Sequence, residues 1–346
     1  MSVVTALNRR HRSSTDREVL TPLVSVVIVN FCQWENTLGL ARQLTESISH
    51  TTGLAELIII DNGSPDSPVV DELAELGGCL VHRFRNNLGF ARAVNEAALR
   101  TTGEWILLLN PDTSLPTGFL DSLSGLCRTI SDDSPRTGVV GLGLLHADGS
   151  PQASSGPIPT FHRTLGGLFL PRRIRKCRHQ TSGGERTSVD WVTGCGMLIR
   201  RDCWQNLNGF DPSFFLYYED ADFCTRAREH GWEVTHEPSL TLKHLHPLHT
   251  RPVPAPLRLM TRHALLNFAF KYWNRRHAKT LAGIVWLEAV LRGMLAGLSG
   301  KPTNAHREIR RLAADWWRDD VCAALGRVEA TADTLQGVFA NESPQR

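Results

Sequence analysis

Short apolar runs alternate with amphipathic segments over the first third of the chain. Four runs are predicted as buried strands, because β-branched and other apolar residues follow one another there without a helical period. These strands are residues 24–30, 57–60, 79–84 and 105–109. Helical spacing predicts helices between them, at residues 35–49, 69–76 and 90–100. This alternation predicts an α/β fold in which a mostly parallel sheet carries helices on both faces.

The pattern changes after residue 137. A further strand is predicted at 138–145, whereas residues 148–184 are rich in Pro, Gly and basic residues and are expected to form a long, partly mobile loop. Three C-terminal helices are predicted, at residues 257–273, 278–298 and 304–325. These changes indicate a disordered basic tail (1–22), a main unit (23–250, with halves 23–137 and 138–250) and a helical C-terminal region (251–346).

Composition and charge narrow the class of protein. The 346 residues are 41% hydrophobic and 21% charged, as in globular proteins, and a net charge of +3 gives no reason to expect a nucleic-acid partner. Eight cysteines without a Cys-x-x-Cys pair are interpreted as reduced thiols of a cytoplasmic protein. No transmembrane helix is expected, because the best candidate, residues 281–298, contains Glu288 and Arg292.

Polar clusters follow three predicted strands, at residue 30, at 61–66 and at 110–112. Ligands of parallel sheets bind beyond the carboxyl ends of the strands. Asp112 in such a position can hold Mg²⁺ or Mn²⁺ against the phosphates of a nucleotide, although Asn-Pro-Asp is also common turn chemistry. Asp61 can accept hydrogen bonds from a base or ribose, or cap the helix that follows.

Two further candidates rest on single residue types. Gly89 begins the helix predicted at 90–100, and the N–H groups of a helix start can bind a phosphate, but an ordinary loop-to-helix junction fits equally well. His244 and His246 follow a β-like stretch. One of them can complete a metal site, and a structural histidine is the alternative.

The most unusual segment is residues 210–222, in which aromatic and large apolar residues lead directly into an acidic cluster. Acidic residues are normal in the first turn of a helix, where they complement the dipole. The functional alternative is a carboxylate beside an apolar floor, placed to accept a proton from a hydroxyl group. Asp220 and Asp222 also have the spacing of an Asp-x-Asp metal motif, but their position inside a predicted helix argues against metal binding.

The order of these motifs resembles that of family 2 glycosyltransferases, and among them of bacterial rhamnosyltransferases. The matching segments are Asp-Asn-Gly-Ser-x-Asp at 61–66, Asn-x-Gly-Phe-Ala-x-Ala-x-Asn at 87–95, Asn-Pro-Asp at 110–112, Trp-x-x-Gly-Cys at 191–195, and the block at 209–232. The resemblance covers roughly residues 24–247, and the last block is its most specific part. It implies a GT-A fold, with a donor half at about 23–137 and an acceptor half at about 138–250.

The resemblance assigns the donor side residue by residue. Asp61, together with Asn30 at the end of the first strand, is implied to bind the nucleobase and ribose of a nucleotide-sugar. Asn87, Gly89 and Asn95 are implied to support the same donor.

It also assigns the metal and the acceptor side. Asp112 is implied to be the principal ligand of Mg²⁺ or Mn²⁺ and to contact the donor, and His244 is the implied distal ligand. Asp220 is the implied catalytic base. The implied sugar and acceptor pocket consists of Trp191, Gly194, Cys195 and Glu219. The usual Asp-x-Asp motif has Asn110 in its first position here, so the number of protein ligands stays open.

The implied reaction is inverting transfer of a sugar, best matched by L-rhamnose from dTDP-rhamnose, to a hydroxyl of a polyprenyl-diphosphate-linked saccharide. There are three alternative functions, of which the first fits the motifs and the other two are disfavoured. A hexosyl- or galactofuranosyltransferase using a UDP-sugar fits the same motifs, and a non-catalytic nucleotide-sugar-binding protein is disfavoured by the retention of Asp112, Asp220 and His244. A dehydrogenase is disfavoured because no Gly-x-Gly-x-x-Gly follows the first strand.

The basic loop at 172–178 and the apolar segment at 281–298 suggest how an acceptor is reached. The C-terminal helices can lie on an anionic membrane surface, which would place the protein on the inner face of the cell membrane. Equally, they can form a cap packed on the main unit or a homodimer contact.

Overall fold

The computed structural model describes residues 22–50, 54–168, 184–246 and 253–336. Its strands are β1 (Val24–Asn30), β2 (Ala55–Asp61), β3 (Cys79–Arg83), β4 (Trp105–Leu109), β5 (Thr113–Ser114), β6 (Thr137–Leu145), β7 (Pro151–Gln152), β8 (Ser155–Gly156), β9 (Thr187–Ser188), β10 (Trp191–Val192), β11 (Met197–Arg200) and β12 (Glu233–His244). Its α-helices are α1 (Trp34–His50), α2 (Val69–Glu75), α3 (Phe90–Ala98), α4 (Phe119–Asp133), α5 (Phe161–Leu168), α6 (Arg201–Asn206), α7 (Glu219–Glu229), α8 (Ala255–Tyr272), α9 (Arg275–Leu298), α10 (Asn304–Trp317) and α11 (Val321–Ala332).

One large sheet organises the N-terminal two-thirds of the protein, in the order β3-β2-β1-β4-β11-β6-β12-β5. Strands β3, β2, β1 and β4 are parallel neighbours, so their carboxyl ends share one edge, where Asn30 pairs in register with Asp61. Strand β11 runs antiparallel between β4 and β6, and β12 runs parallel to β6. The predicted α/β sheet is therefore confirmed, and its first strand lies in its interior.

The sheet is buried on both faces. Val26 and Ile28 of β1 contribute to an apolar core with α1, α2 and α4, whereas Val27 and Val29 contribute to a second core with α3, α6 and α7. Because alternate side chains enter opposite cores, both must be apolar, which explains the unbroken apolar run of this strand.

The C-terminal helices form a third core and are joined to the sheet domain by aromatic contacts. Phe215 packs with Leu257 of α8, and Phe214 packs with Phe268 of the same helix. Within the described residues, α9 alone is long and apolar enough to cross a membrane by length and composition. The expectation that the chain has no transmembrane helix stays a prediction.

Two predicted elements need correction. Residues 148–184 were expected to form a loop, but β7, β8 and α5 lie within them. The helix predicted at 304–325 is two helices, because Asp319 between them has a left-handed φ of 66° and Asp320 accepts a hydrogen bond from the Ala323 N–H at the start of α11. Residues 1–21 of the predicted tail and the basic loop at 172–178 lie outside the described residues. No disulfide joins the seven cysteines inside that range, and five of them are buried. The interpretation as reduced cytoplasmic thiols stays a prediction.

Candidate active site

The carboxyl ends of β1 and β2 are tied together by buried polar side chains. Asn30 donates to Asp61 Oδ1 (2.9 Å) and to Ser64 Oγ (3.2 Å), and Ser64 Oγ also accepts from the Cys32 N–H (2.8 Å). Asp61 is fully buried. The two residues predicted to bind the nucleobase are therefore brought together, and each is held by partners within the protein.

Arg83 at the end of β3 completes this cluster, and sequence reasoning did not identify it. Its guanidinium donates to Asp61 Oδ2 (3.0 Å) and to Asp66 Oδ1 (2.9 Å), and it lies 5.4 Å from the ring centre of Trp34. Burial raises the pKa of Asp61 above its ordinary value, and hydrogen bonds from Ser64 and Arg83 oppose that shift. Arg83 is about one-third exposed, so it faces both the buried carboxylate and the solvent side of this edge.

The turn before α3 is fixed by a pair of asparagines. Asn62 donates to Asn87 Oδ1 (2.9 Å), which also accepts from the Gly89 N–H (2.9 Å). Gly89 has φ 87°, and a Cβ on it would lie 2.5 Å from the Phe215 carbonyl oxygen. That oxygen accepts from the Phe90 N–H (2.7 Å). The start of α3 is therefore held against the aromatic segment that precedes Asp220, and only glycine fits there.

Asn95 supports the same segment from inside α3. Its side-chain amide donates to the Phe210 carbonyl oxygen (2.8 Å) and accepts from the Phe210 N–H (2.9 Å). Both polar atoms of the side chain are thus engaged with the loop. The contacts of Asn95 are those of a supporting residue, and a direct contact with the nucleotide-sugar stays a prediction.

Asp112 and His244 meet where β4 and β12 end. His244 Nε2 lies 3.4 Å from Asp112 Oδ2, and both side chains are about nine-tenths buried. The His246 N–H donates to the same oxygen (3.1 Å). Although burial favours the neutral carboxyl, the contact with His244 lowers the pKa of Asp112 below its ordinary value. Asp112 is therefore ionised at neutral pH.

This pair fits one octahedral divalent cation. Adjacent ligand atoms of such an ion lie about 3 Å apart, close to the distance between Nε2 and Oδ2. The His246 side chain is exposed, and its backbone holds Asp112, so the geometry favours His244 of the two histidines. The described residues contain no cluster of three His, Cys, Asp or Glu that could enclose a metal ion.

A second residue that the sequence did not indicate orients His244. The side-chain amide of Gln152 on β7 lies 3.0 Å from His244 Nδ1, and its Oε1 is buried without a partner among the described groups. A half-turn of this amide would place Oε1 where it accepts the Nδ1–H. Nε2 would then carry a lone pair directed toward Asp112, as a metal-binding histidine requires.

Asp220 lies in the first turn of α7. Its Oδ2 accepts from the Gly194 N–H (3.1 Å), and its Oδ1 accepts from the Ala221 N–H (2.7 Å). Burial raises the pKa of Asp220 to about 6. Tyr217 and Tyr218, directly before the helix, both have left-handed φ values (72° and 66°), which are strained for residues with side chains and recur at functional sites.

Glu219 is more deeply buried than Asp220. No group in the described ranges donates to its Oε2, and burial, together with the charge of Asp220, raises its pKa well above the ordinary value. Burial thus opposes ionisation of both neighbouring carboxyl groups. The division between Asp220 as the base and Glu219 as a pocket residue stays a prediction.

The two carboxylates are linked by neighbouring residues of one segment. Gly194 donates to Asp220, while burial and the charge of Asp112 raise the pKa of the Cys195 thiol. Asp220 therefore contacts this segment at Gly194, and Asp112 lies near enough to act on the next residue. Trp191 packs against the cluster that contains Ala221, the residue after Asp220, and its indole donates to the Pro157 carbonyl oxygen (3.0 Å).

Comparison with known proteins agrees with this geometry. Residues 22–264 match the model of a family described as "Glycosyltransferase like family 2". An N-acetylglucosaminyl-diphospho-decaprenol L-rhamnosyltransferase of Mycobacterium tuberculosis is 27% identical over 201 residues, which are 56% of this chain and 61% of that protein. The low-salt glycan biosynthesis hexosyltransferase Agl10 of Haloferax volcanii is 26% identical over 219 residues, covering 61% of this chain and 63% of the relative. The chain thus spans about three-fifths of the length of these curated relatives.

A solved structure supports the fold. The crystal structure of GalNAc-T7 with UDP, GalNAc and Mn²⁺ matches with a TM-score of 0.52 at 16% identity, covering 95% of this chain and 59% of the other. This likeness confirms the predicted GT-A fold with C-terminal helices. Because the family model covers more than two-thirds of the sequence, the chain belongs to the glycosyltransferase like family 2.

Proposed function

We propose that the protein transfers a sugar from a nucleotide-sugar to an acceptor hydroxyl, with inversion at the anomeric carbon and with one divalent cation. The observation that carries this proposal is that Asp220 is bound by the Gly194 N–H, while Asp112, paired with His244, lies near the adjacent Cys195, so that both carboxylates are close to one segment. One carboxylate is paired with a histidine and ionised, and the other has a pKa near neutrality. Two such groups near one segment suit metal-supported donor binding and proton removal, respectively.

Asp112 and His244 are the residues that would hold the cation. When bound there, Mg²⁺ or Mn²⁺ supplies neutralisation of the charge on the departing diphosphate. The structure of GalNAc-T7, which contains UDP, GalNAc and Mn²⁺, supports the use of a divalent cation by analogy of fold. Asn110, whose amide lies 3.3 Å from His244 Nε2, takes the place of a second carboxylate.

Asp220 acts as the general base. A carboxylate with a pKa of about 6 is mostly ionised at pH 7 and still basic enough to remove a proton effectively. As the acceptor oxygen attacks the anomeric carbon, its proton passes to Asp220 and the bond to the diphosphate breaks. The Gly194 and Ala221 N–H groups fix the direction of the carboxylate.

The donor nucleoside lies at the edge formed by β1, β2 and β3. Asn30 and Asp61 organise this edge, and the partly exposed guanidinium of Arg83 is available to the base or ribose. Asn87 and Gly89 hold the turn through which the nucleotide passes toward the metal.

For the sugar we propose L-rhamnose from dTDP-rhamnose, and for the acceptor a saccharide on a polyprenyl diphosphate. The name of the Mycobacterium tuberculosis relative supports this choice. The reaction would then take place at the inner face of the cell membrane. The name of the Haloferax volcanii hexosyltransferase favours a second candidate, transfer of a hexose, for which we propose a UDP-sugar as the donor.

A donor panel tests the proposal. The purified full chain is incubated with Mn²⁺, an N-acetylglucosaminyl-diphosphoryl lipid and, in turn, dTDP-rhamnose, UDP-glucose, UDP-galactofuranose and UDP-N-acetylglucosamine, and the released nucleoside diphosphate is measured. We expect release with dTDP-rhamnose and none from the Asp220→Asn variant. Release with a UDP-sugar alone would favour the second candidate. Tight binding of a donor without turnover by the unmodified chain would instead indicate a binding protein.

A further inference from the structure

One surface of the C-terminal helices is apolar and uncovered. Six side chains of α9 recur at spacings of three, four and seven residues and so share one face. They are Ile284, Leu287, Leu291, Met294, Leu295 and Leu298. The exposed fraction rises from 51% at Leu287 to 87% at Leu298. We name these six residues the apolar stripe.

The opposite face of α9 is packed into the third core. The buried residues on that face are Ala278, Leu281, Ala282, Val285 and Ala289. Glu288 and Arg292, the two charged residues between 281 and 298, pair with each other (2.9 Å), and Glu288 also pairs with Arg262 of α8 (2.7 Å). The helix therefore has two apolar faces, of which the described residues cover one.

A row of arginines lies on the neighbouring helix. Arg307 and Arg310 are exposed on α10, and Arg318 is exposed directly after its last residue. Arg310 and Arg318 follow Arg307 by three and eleven residues, which places all three near one face. Across the ranges that the structure describes, no ion pair joins these three guanidinium groups to a carboxylate. Residues 275–320 contain nine Lys or Arg and five Asp or Glu, and Arg275, Lys279, Arg292 and Arg311 are paired with carboxylates. The basic character of this surface therefore comes mainly from Arg307, Arg310 and Arg318.

The two helices meet along small residues, which brings the stripe and the arginines together. A Cβ on Gly283 would lie 3.3 Å from the Trp317 ring, and one on Gly293 would lie 3.4 Å from His306 Cβ. Trp286 and Trp317 are each about half exposed, and both line the cleft between the helices together with Arg318. Because Trp286 directly precedes Leu287, this aromatic cleft and Arg318 border the apolar stripe.

We propose that this surface of α9 and α10 docks on an anionic phospholipid bilayer, with α9 lying in the plane of the interface. Apolar side chains enter the acyl region, tryptophans lie at its border, and arginines contact the phosphate groups. The inference extends the proposed function, whose acceptor is lipid-linked, but its evidence is the surface alone.

Two other arrangements fit less well. A bilayer-spanning α9 would have to leave the core that covers its packed face and separate Glu288 from Arg262. A two-fold dimer through the same patch would bring each row of arginines near its copy. An anionic membrane satisfies both the apolar and the basic part of the surface.

Co-sedimentation of the full chain with vesicles tests the proposal. Phosphatidylcholine vesicles are compared with vesicles that also contain phosphatidylglycerol, at low and high salt. We expect binding to the anionic vesicles that weakens with salt. The double variant Leu291→Glu, Leu295→Glu should abolish it, and Arg307→Gln with Arg310→Gln should weaken it by about five-fold per arginine.

Matched controls lie on the sheet domain. Leu99 is 80% exposed, comparable with Leu298, and Leu99→Glu should bind vesicles as the unmodified chain does. The mass of each variant is measured by analytical ultracentrifugation, and turnover is measured with a water-soluble acceptor. We expect the stripe variants and the unmodified chain to be monomeric, and we expect the stripe variants to retain turnover.

Three outcomes would overturn the proposal. One is equal binding by the stripe variants and the unmodified chain. Another is no binding of the unmodified chain to anionic vesicles. The third is a dimer that the Leu291→Glu, Leu295→Glu change dissociates, since the stripe would then be a contact between copies. Loss of turnover in every variant and in the unmodified chain would contradict the proposed function and leave the vesicle result to be judged separately.

Discussion

Replacing Asp220 with Asn should abolish turnover while making the protein more stable. Removal of a positioned general base typically lowers the rate 10²–10⁴-fold, because the acceptor hydroxyl then keeps its proton during attack. The same carboxylate is destabilising when ionised, since burial raises its pKa from 3.8 to about 6. A difference of about two pKa units corresponds to ~3 kcal/mol of folding free energy.

The expected gain is smaller than that value. Asp220 accepts one backbone N–H on each oxygen, from Gly194 and from Ala221. Asn keeps one acceptor, and loss of the other hydrogen bond costs about 1 kcal/mol. The variant should therefore be more stable by ~2 kcal/mol. The pKa of Asp220 is higher in the folded protein than in the unfolded chain. The unmodified protein therefore loses stability as the pH rises from about 4 to about 6. The advantage of Asn is complete above pH 6 and becomes smaller below it.

Urea unfolding at pH 8 and pH 5, together with steady-state rates, measures both effects. In the unmodified protein, kcat/KM should fall as pH drops below about 6, because Asp220 becomes protonated. Turnover of Asp220→Asn within ten-fold of normal would refute the assignment of the base. A loss of stability at pH 8 would refute the assigned burial of the charge.

Asp222, two residues further along α7, provides the matched control. It is fully buried, but Arg226 (2.8 Å), Lys271 (2.6 Å) and the Tyr272 hydroxyl (2.7 Å) all contact its carboxylate. Asp222→Asn should lower stability by about 3 kcal/mol, since the largely buried Arg226 loses its carboxylate partner, whereas Lys271 keeps Asp211. The same substitution at neighbouring positions is thus expected to change stability in opposite directions.

The remaining predictions concern the metal pair and the donor turn. Asp112→Asn should remove Mn²⁺-dependent binding of the nucleoside diphosphate, followed by calorimetry, and unchanged binding would exclude Asp112 as a ligand. Gln152→Leu should weaken Mn²⁺ binding about 10–100-fold in electron paramagnetic resonance titrations, because Nδ1 of His244 loses its hydrogen-bond partner. Gln152→Glu should retain the Mn²⁺ affinity. Equal affinities of the Leu variant and the unmodified protein would refute the role of Gln152 in orienting His244. Gly89→Ala should destabilise the protein by about 1–3 kcal/mol from backbone strain alone, in addition to displacing Phe215, and normal urea unfolding would contradict the required fit.

The sequence was sufficient to predict the elements that carry local signals. The strands at 24–30 and 105–109 are confirmed residue for residue, because unbroken apolar runs indicate strands buried on both faces. Because these strands are parallel, their carboxyl ends share one edge of the sheet. The polar residues that follow the strands therefore lie at that edge. Asp112 and His244 could be named from their motifs, although the pairing of β5 with the strand end at His244 could not.

Contacts made by residues distant in sequence could not be predicted in the same way. Gln152 lies in a stretch whose composition indicated a loop, and only the pairing of β7 with β6 places it against His244. Arg83 looks like an ordinary strand-end arginine until the parallel pairing of β2 and β3 places it beside Asp61. The supporting role of Asn95 depends on its bonds to Phe210, which span 115 positions in the sequence and carry no local signal.

The position of Asp112 and Asp220 across one cleft is tested most directly by a crystal structure with Mn²⁺ and an unreactive nucleotide-sugar analogue. We expect the anomalous signal of the metal within ligand distance of Asp112 and His244, and the anomeric carbon of the analogue facing the carboxylate of Asp220. A metal bound elsewhere, or packed apolar side chains between the sugar and Asp220, would contradict the proposed division of roles.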